Sequence, residues 1–467
     1  MIRKVFSDYY QATSDFSRNA KLFLASMFLV GMSFSAFGVI FNLYLVEAGF
    51  REGFIGNLLS VGALAMSLLA LPAGLACDRI GRKKSLLLSG FLVSAFVLIR
   101  ATTLKEHLLL TASALSGFAA AFAAVTTAPF LMENSTPEER THLFSVNFSA
   151  LLIAGVIGNV LGGKLPDIFR YFQTDLTKLQ SYRMTLVTSA LFSFASLIPL
   201  FLVREGKEEA RGEKPKASWR EKEDLVTVGK FSLNNFLIGA GAGLVIPFFN
   251  LYFAKRFGAT STQIGLYFSG SQIITAAAVL LGPIAAKRFG KLKTIVYAQI
   301  FSLPFLVLLG GLERYLTFAV LAFWIRGCLM SMSMPLFGVM RMEMIPEKKR
   351  ATAESISDIF WNLPWAGATS FSGRLMQSQG ITLGRFSLPG YSAPYYLTAL
   401  LYFLSATCFY FFFKGYEEGD RESAKTHHFL RAALQRFRAH LRHHPPGGHG
   451  EHVRTTYHGH DHGDHRE

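Results

Sequence analysis

Arg326 lies inside the run Leu321-Ala322-Phe323-Trp324-Ile325-Arg326-Gly327-Cys328, and Asp358 is followed at near-helical spacing by Asn362, Trp365 and Thr369. In a membrane-length apolar stretch a central arginine costs ~2.5 kcal/mol or more, so it needs a cavity or a partner. Arg326 therefore suits a substrate anion or a proton relay, or else a structural pairing with Asp358 or a backbone carbonyl. Asp358 suits a proton carrier. A second group of charges, Asp78, Arg79, Arg82, Lys83 and Lys84, follows Gly74 and surrounds Gly81 between two long apolar runs. An acid among bases lowers local repulsion and offers an ion-pair partner that can be exchanged. Glu133 and Arg140 flank Pro137, and Glu343 and Arg350 flank Pro346 in the same way. A third group is the imidazoles of His449, His452, His458, His460 and His462, whose spacing suits Zn, Ni or Cu. Met330, Met332, Met334, Met340, Met342 and Met344 add soft ligands, although alternate methionines point to different helix faces and commonly fill packing gaps.

The elements that must hold these groups are membrane-spanning helices. Of 467 residues, 51% are hydrophobic, and they come in long runs rather than amphipathic stripes. A helix needs ~20 apolar residues to cross ~30 Å of hydrocarbon. Twelve runs qualify, over 21–46, 55–76, 86–103, 109–131, 144–165, 183–203, 229–253, 263–286, 294–311, 316–340, 353–375 and 394–413. Loops on the side of the two termini carry 23 Lys and Arg without the tail, against 8 on the other side. The positive-inside rule then places both termini and the Asp78 loop in the cytoplasm, with the chain in the plasma membrane. This bias accounts for most of the +16 net charge, so no nucleic-acid partner is implied. Residues 1–20 are polar and read as a cytoplasmic N-terminus with no cleavable signal. Cys77, Cys328 and Cys408 are too scattered for a disulfide framework.

The chain also repeats itself at an offset of 208 to 210 residues. Gly31 aligns with Gly239, Phe41-Asn42-Leu43-Tyr44 with Phe249-Asn250-Leu251-Tyr252, and Ile55-Gly56 with Ile264-Gly265. Arg79 and Gly81 meet Arg288 and Gly290, Met132-Glu133 meets Met342-Glu343, and Gly163-Lys164-Leu165 meets Gly373-Arg374-Leu375. The domain organisation read from this is a six-helix bundle over 21–203, a cytoplasmic linker over 204–228, a second bundle over 229–413, and a basic, His-rich tail over 414–467. Such duplication puts a substrate site near mid-membrane between the halves.

The pattern Gly74-x-x-x-Asp78-Arg79-x-Gly81-Arg82-Lys83 resembles the signature loop of the major facilitator superfamily of secondary transporters. The resemblance implies an all-α integral membrane fold of twelve helices in two pseudo-symmetric bundles. It implies that Asp78 contacts the cytoplasmic end of helix 11 and Arg140, bracing an outward-facing state. Helices 1, 4, 7 and 10 would line the cavity, supplying Ser33, Asn42, Ser113, Ser116, Asn234, Asn235 and Arg326. In the second loop Lys287 replaces the acid, so that gate is expected to be weaker or differently wired. Ala154-x-x-x-Gly158-Asn159-x-x-Gly162-Gly163 resembles the helix-5 motif of drug and proton antiporters, with Asn159 in place of its proline and Ala154 in place of its first glycine.

The expected function is proton-coupled efflux of a small organic compound by alternating access, through a monomer that uses no cofactor. Alternatives within transport are uptake or uniport of an organic anion, and divalent metal transport. A different class is a non-transporting sensor or lipid-moving protein of the same fold. An enzyme is not expected, because no phosphate-binding glycine loop, His-Glu-x-x-His pair or nucleophile elbow occurs.

Overall fold

In hydrocarbon every backbone N–H and C=O must find its partner within the segment, so each apolar run closes into a long helix. The computed structural model describes residues 16–204, 222–346, 349–378, 380–383 and 386–416. The tail histidines His449, His452, His458, His460 and His462, most of the linker and the first fifteen residues lie outside the described residues. The first half contains α1 (Arg18–Glu47), α2 (Glu52–Ile80), α3 (Arg82–Thr102), α4 (Glu106–Glu133), α5 (Pro137–Phe172) and α6 (Lys178–Phe201). The second contains α7 (Asp224–Phe257), α8 (Ser261–Phe289), α9 (Lys291–Gly311), α10 (Leu316–Met344), α11 (Arg350–Gln377) and α12 (Ala393–Phe413).

Eleven of these are long and apolar enough to cross a membrane. The remaining one, α11, has 28 residues but carries Glu354, Asp358, Asn362 and several hydroxyls, and it packs against α2 and α7 rather than standing alone. A short antiparallel hairpin, β1 (Ile381–Leu383) with β2 (Phe386–Leu388), joins α11 to α12 and was not expected from the sequence. The 229–253 span is also interrupted. Pro247 has no backbone N–H to donate, and a 3-10 turn at Ile246–Phe248 splits α7.

Local chemistry sets the helix ends. Thr136 with Glu139, Thr177 with Gln180 and Thr260 with Gln263 form capping boxes that open α5, α6 and α8. The α2–α3 and α8–α9 turns pivot on Gly81 (φ 92°) and Gly290 (φ 91°), backbone angles that favour glycine and that recur in the register of the repeat.

In the first half, α1 packs on α5 and α6, and α4 on α2 and α3. In the second half, α7 packs on α11 and α12, and α10 on α8 and α9. The halves meet through α2 with α11, α5 with α8, and α1 with the end of α7. We refer to the face holding the Asp78 loop as the basic face, and to the opposite one as the far face.

Bare backbone makes the far-face crossings. A Cβ on Gly163 would lie 2.7 Å from the Ser261 carbonyl oxygen, and one on Gly265 2.4 Å from that of Asn159. In the repeat-related crossing, a Cβ on Gly56 would lie 2.8 Å from the Thr369 oxygen and one on Gly373 2.4 Å from that of Glu52. The same glycines that align in sequence therefore seal α5 to α8 and α2 to α11. Towards the basic face the halves diverge. A Cβ on Gly74 would meet nothing within 4 Å.

Replacing Gly56 with Leu is expected to wedge the α2–α11 crossing apart at the far face. Spin labels on the exposed Arg51 and Ser378 positions should then report a longer distance by pulsed electron resonance. An unchanged distance would show that the glycines do not set closure.

Candidate functional site: a central cavity

Between the halves lies a cavity of about 1120 Å³, within reach of a drug-sized ligand and its solvent. Its lining extends to Arg341, close to the basic-face end of α10, whereas the glycine crossings and polar contacts shut the far face. The ceiling is a pair of asparagines. Asn42 Nδ2 donates to Pro247 O at 2.7 Å and to Asn250 Oδ1 at 3.0 Å, and Asn250 Nδ2 donates to the Gly38 and Val39 carbonyls at 3.1 Å. These two residues are the aligned copies of the repeat. Asn42 satisfies the Pro247 carbonyl at the break in α7 and Asn250 adds a second donor to carbonyls along α1, so the duplicated residue ties the halves together.

Arg326 is 5% exposed and lines the cavity. Its Nη2 donates to Tyr402 Oη at 2.8 Å, and its guanidinium lies 5.5 Å from the centre of the same ring. The expected alternatives of pairing with Asp358 or a carbonyl are not what holds it. Its Nε is buried without an acceptor. A second cavity arginine, Arg100 on α3, donates from Nη2 to Ser116 Oγ at 3.2 Å and sits over the rings of Phe37 and Phe41 at 4.8 and 5.5 Å. Its Nε is likewise without an acceptor. Nearer the mouth, Arg341 and Glu354 pair directly, and Asp358 lines the wall with no ion pair among the described residues.

Asn42, Ser33, Ser113, Ser116, Asn234 and Asn235 all line the cavity, as does Asn159 of the helix-5 motif. Asn234 donates to Ser405 Oγ at 2.6 Å and Asn235 to Ser357 O at 3.1 Å. Asn362 does not line it and instead donates to Asp358 O at 2.9 Å. At about 100° per residue, Glu354, Asp358, Trp361 and Trp365 fall within an arc of about 60°, and Asn362 lies about 40° beyond its edge. Thr369 also turns away, towards Gly243 O on α7. Gly158 and Gly162 pack against Met32 and Ala36 of α1, and Gly163 packs against α8. Met330 and Met334 line the cavity while Met332 packs beside Gly282, the alternation expected along a helix.

The loop charges pair within each half. Asp78 lies 3.4 Å from Arg82, whose Nε reaches Glu133 at 3.3 Å. Lys291 and Glu343, in register with Arg82 and Glu133, pair at 2.5 Å, so the second copy keeps this bond despite losing the loop acid. Asp78 thus pairs with Arg82, whereas the resemblance implied Arg140 as its partner in an outward-facing state. Arg140 leaves its Nε buried without an acceptor, Arg350 Nε donates to Ile345 O at 3.1 Å, and Arg288 stands over Phe289. Arg79 and Lys83 flank the Gly81 turn, with Arg79 exposed, and Gly74 lies earlier within α2.

At the far face, Tyr391 Oη donates to Glu52 Oε1, and Gln377 Oε1 accepts from the Gly53 N–H at 3.1 Å. Burial, helped by the adjacent Glu52 carboxylate, pushes the Tyr391 phenol above its ordinary range.

The family model described as Major Facilitator Superfamily matches residues 23–233 and 231–446. The chain belongs to this superfamily. It is 28% identical to the efflux pump azaK of Aspergillus niger over 303 residues, covering 60% of each chain. It is 23% identical to multidrug resistance protein MdtG of Proteus mirabilis, covering 82% of this chain and 91% of that one. In fold it resembles a bacterial homologue of the human lysosomal transporter Spinster in an inward-facing, occupied conformation, with a TM-score of 0.69 at 13% identity over 84% of this chain and 95% of that one. The protein is thus a multi-pass membrane transporter of small molecules, not an enzyme.

Replacing Tyr391 with Phe deletes a charge-assisted hydrogen bond worth about 1.5–3 kcal/mol and should shift the population towards far-face opening. Because the closed form holds the Tyr391 proton more tightly, this latch is fully present below the ordinary tyrosine pKa of about 10 and is lost as pH rises through the raised value. Far-face label distances measured against pH check both statements. Wild-type-like distances in Y391F would contradict them.

Proposed function

We propose that the protein exports small organic compounds in exchange for protons, with the basic face in the cytoplasm and the cavity seen here open to it. The carrying observation is the Asp358 carboxylate, without an ion pair among the described residues, on the wall of a cavity whose lining reaches Arg341 near the basic face while glycine crossings close the halves together at the far face. An exchanger needs a group that holds either a proton or the substrate's contact, and that reaches each side in turn. Asp358 meets that need, with Glu354 and Arg341 forming their own pair close by. The excess of Lys and Arg on the basic face supports the orientation. The names of the efflux and multidrug relatives support export over uptake.

The halves would rock about the Asn42–Asn250 contact. Closing the basic face would bring the loop charges of α2–α3 and α8–α9 towards the opposite half, while the glycine crossings separate. The ion pairs within each half, Arg82 with Glu133 and Lys291 with Glu343, would hold each loop rigid during that movement. The helix-5 glycines would keep α5 tight on α1, so that each half moves as a body.

The test is flux in proteoliposomes with a panel of fluorescent amphipathic dyes. Dyes should accumulate against their gradient when a pH gradient is imposed. Asp358→Asn should abolish this gradient-driven accumulation yet retain downhill dye exchange, because its side chain no longer titrates. Gradient-driven accumulation by D358N, or none by the wild type under any pH gradient, would reject the proton-exchange reading.

A further inference from the structure

Arg100 and Arg326 are placed as equivalents although they are not aligned in sequence. Ser116 stands ten residues into α4 from the far face, and Arg326 stands ten residues into α10. The repeat offset of 210 makes Ser116 the counterpart of Arg326. Arg100 reaches that same serine from α3. Each half thus delivers one guanidinium to the same depth, about 15 Å below the far-face helix ends at ~1.5 Å per residue.

Each arginine uses one Nη on a neutral hydroxyl, has an orphaned Nε, and makes no ion pair among the described residues. A guanidinium offers five donors in a fork that matches carboxylate geometry. Asp358 does not neutralise them. It stands eight residues into α11 from the opposite end, about 12 Å from the basic-face terminus. On helices of about 42 Å, this leaves about 15 Å along the membrane normal between the arginine level and Asp358, less the reach of the side chains. The wall between these levels carries Trp361 and Trp365, whose rings stack on one another and both line the cavity.

We propose that the transported substrate is a zwitterionic amphipathic molecule whose carboxylate seats between Arg100 and Arg326 and whose ammonium points towards Asp358 across an aromatic body. The inference rests on the cavity reading given above and names its substrate class. It also supplies the reason for exchange: substrate ammonium and proton compete for one carboxylate, so loading from the cytoplasm expels the proton.

A matched set of four probes tests it on the purified full-length chain by titration calorimetry. The set is 4′-(aminomethyl)biphenyl-4-carboxylate, its methyl ester, its N-acetyl derivative, and the N-acetyl methyl ester. The zwitterion should bind roughly tenfold or more tightly than either singly charged probe. Arg100→Gln and Arg326→Gln should each weaken the two carboxylate-bearing probes by roughly tenfold and leave the ester's binding unchanged. D358N should do the converse, weakening only the amine-bearing probes. Arg100→Lys and Arg326→Lys preserve charge and should recover part of the carboxylate preference, which separates a binding role from a folding one. Equal binding of all four probes, a preference for the neutral or the cationic one, or binding by none would overturn the proposal. Failure here is distinguishable from failure of proton exchange. Charge-selective binding without gradient-driven flux sinks the exchange alone, whereas gradient-driven flux of the plain ester sinks the zwitterion alone.

Discussion

Ionised groups inside a bilayer must be solvated by something other than lipid, and this constraint shapes the whole structure. Arg100, Arg326, Arg341, Glu354 and Asp358 are carried on helices long enough to span hydrocarbon, and every one of them lines the central cavity. A wet chamber between two bundles is what makes these residues tolerable. The chamber in turn requires that the bundles touch only over part of their length. The far-face glycines supply the touching part, because backbone against backbone gives a close seal without side chains that would have to interlock and release.

Duplication explains why the seal and the ceiling are both paired. Gly163 with Gly265 and Gly373 with Gly56 are one contact made twice, and Asn42 with Asn250 is a residue meeting its own copy. A seal built from related halves about one axis can open at one face as it closes at the other. The departures from symmetry are where specificity enters. The arginine at the Arg326 level is supplied from α10 in one half and from α3 in the other, and the acid on the cavity wall occurs in α11.

Much of this was legible in the sequence, and the failures have physical reasons. The spans, the repeat register and the intramembrane placement of Arg326 and Asp358 follow from apolar run length and the cost of charge. Arg100 escaped notice because it lies close to the end of its apolar run, where an arginine normally snorkels to the interface. Here its side chain turns inward, over Phe37 and Phe41, to Ser116. Arg341 was hidden for a similar reason, since α10 extends beyond its apolar portion, and Glu354 because it stands at the very start of its run, where an acid is ordinary. Asn362 was misplaced by a helical phase that the spacing of Asp358 alone does not fix. Tyr402 and Tyr391 gave no signal, because a tyrosine in or beside an apolar helix is ordinary until its hydroxyl finds Arg326 or Glu52.

The central claim is that the cavity communicates with one face at a time. With Cys77, Cys328 and Cys408 replaced by serine, a single cysteine at the cavity residue Ser271 can be challenged with a membrane-impermeant thiol reagent in vesicles of known orientation. In the resting protein the reagent should modify it from the basic face and not from the far face. Equal modification from both faces at rest would mean a channel through the molecule, and would contradict the account.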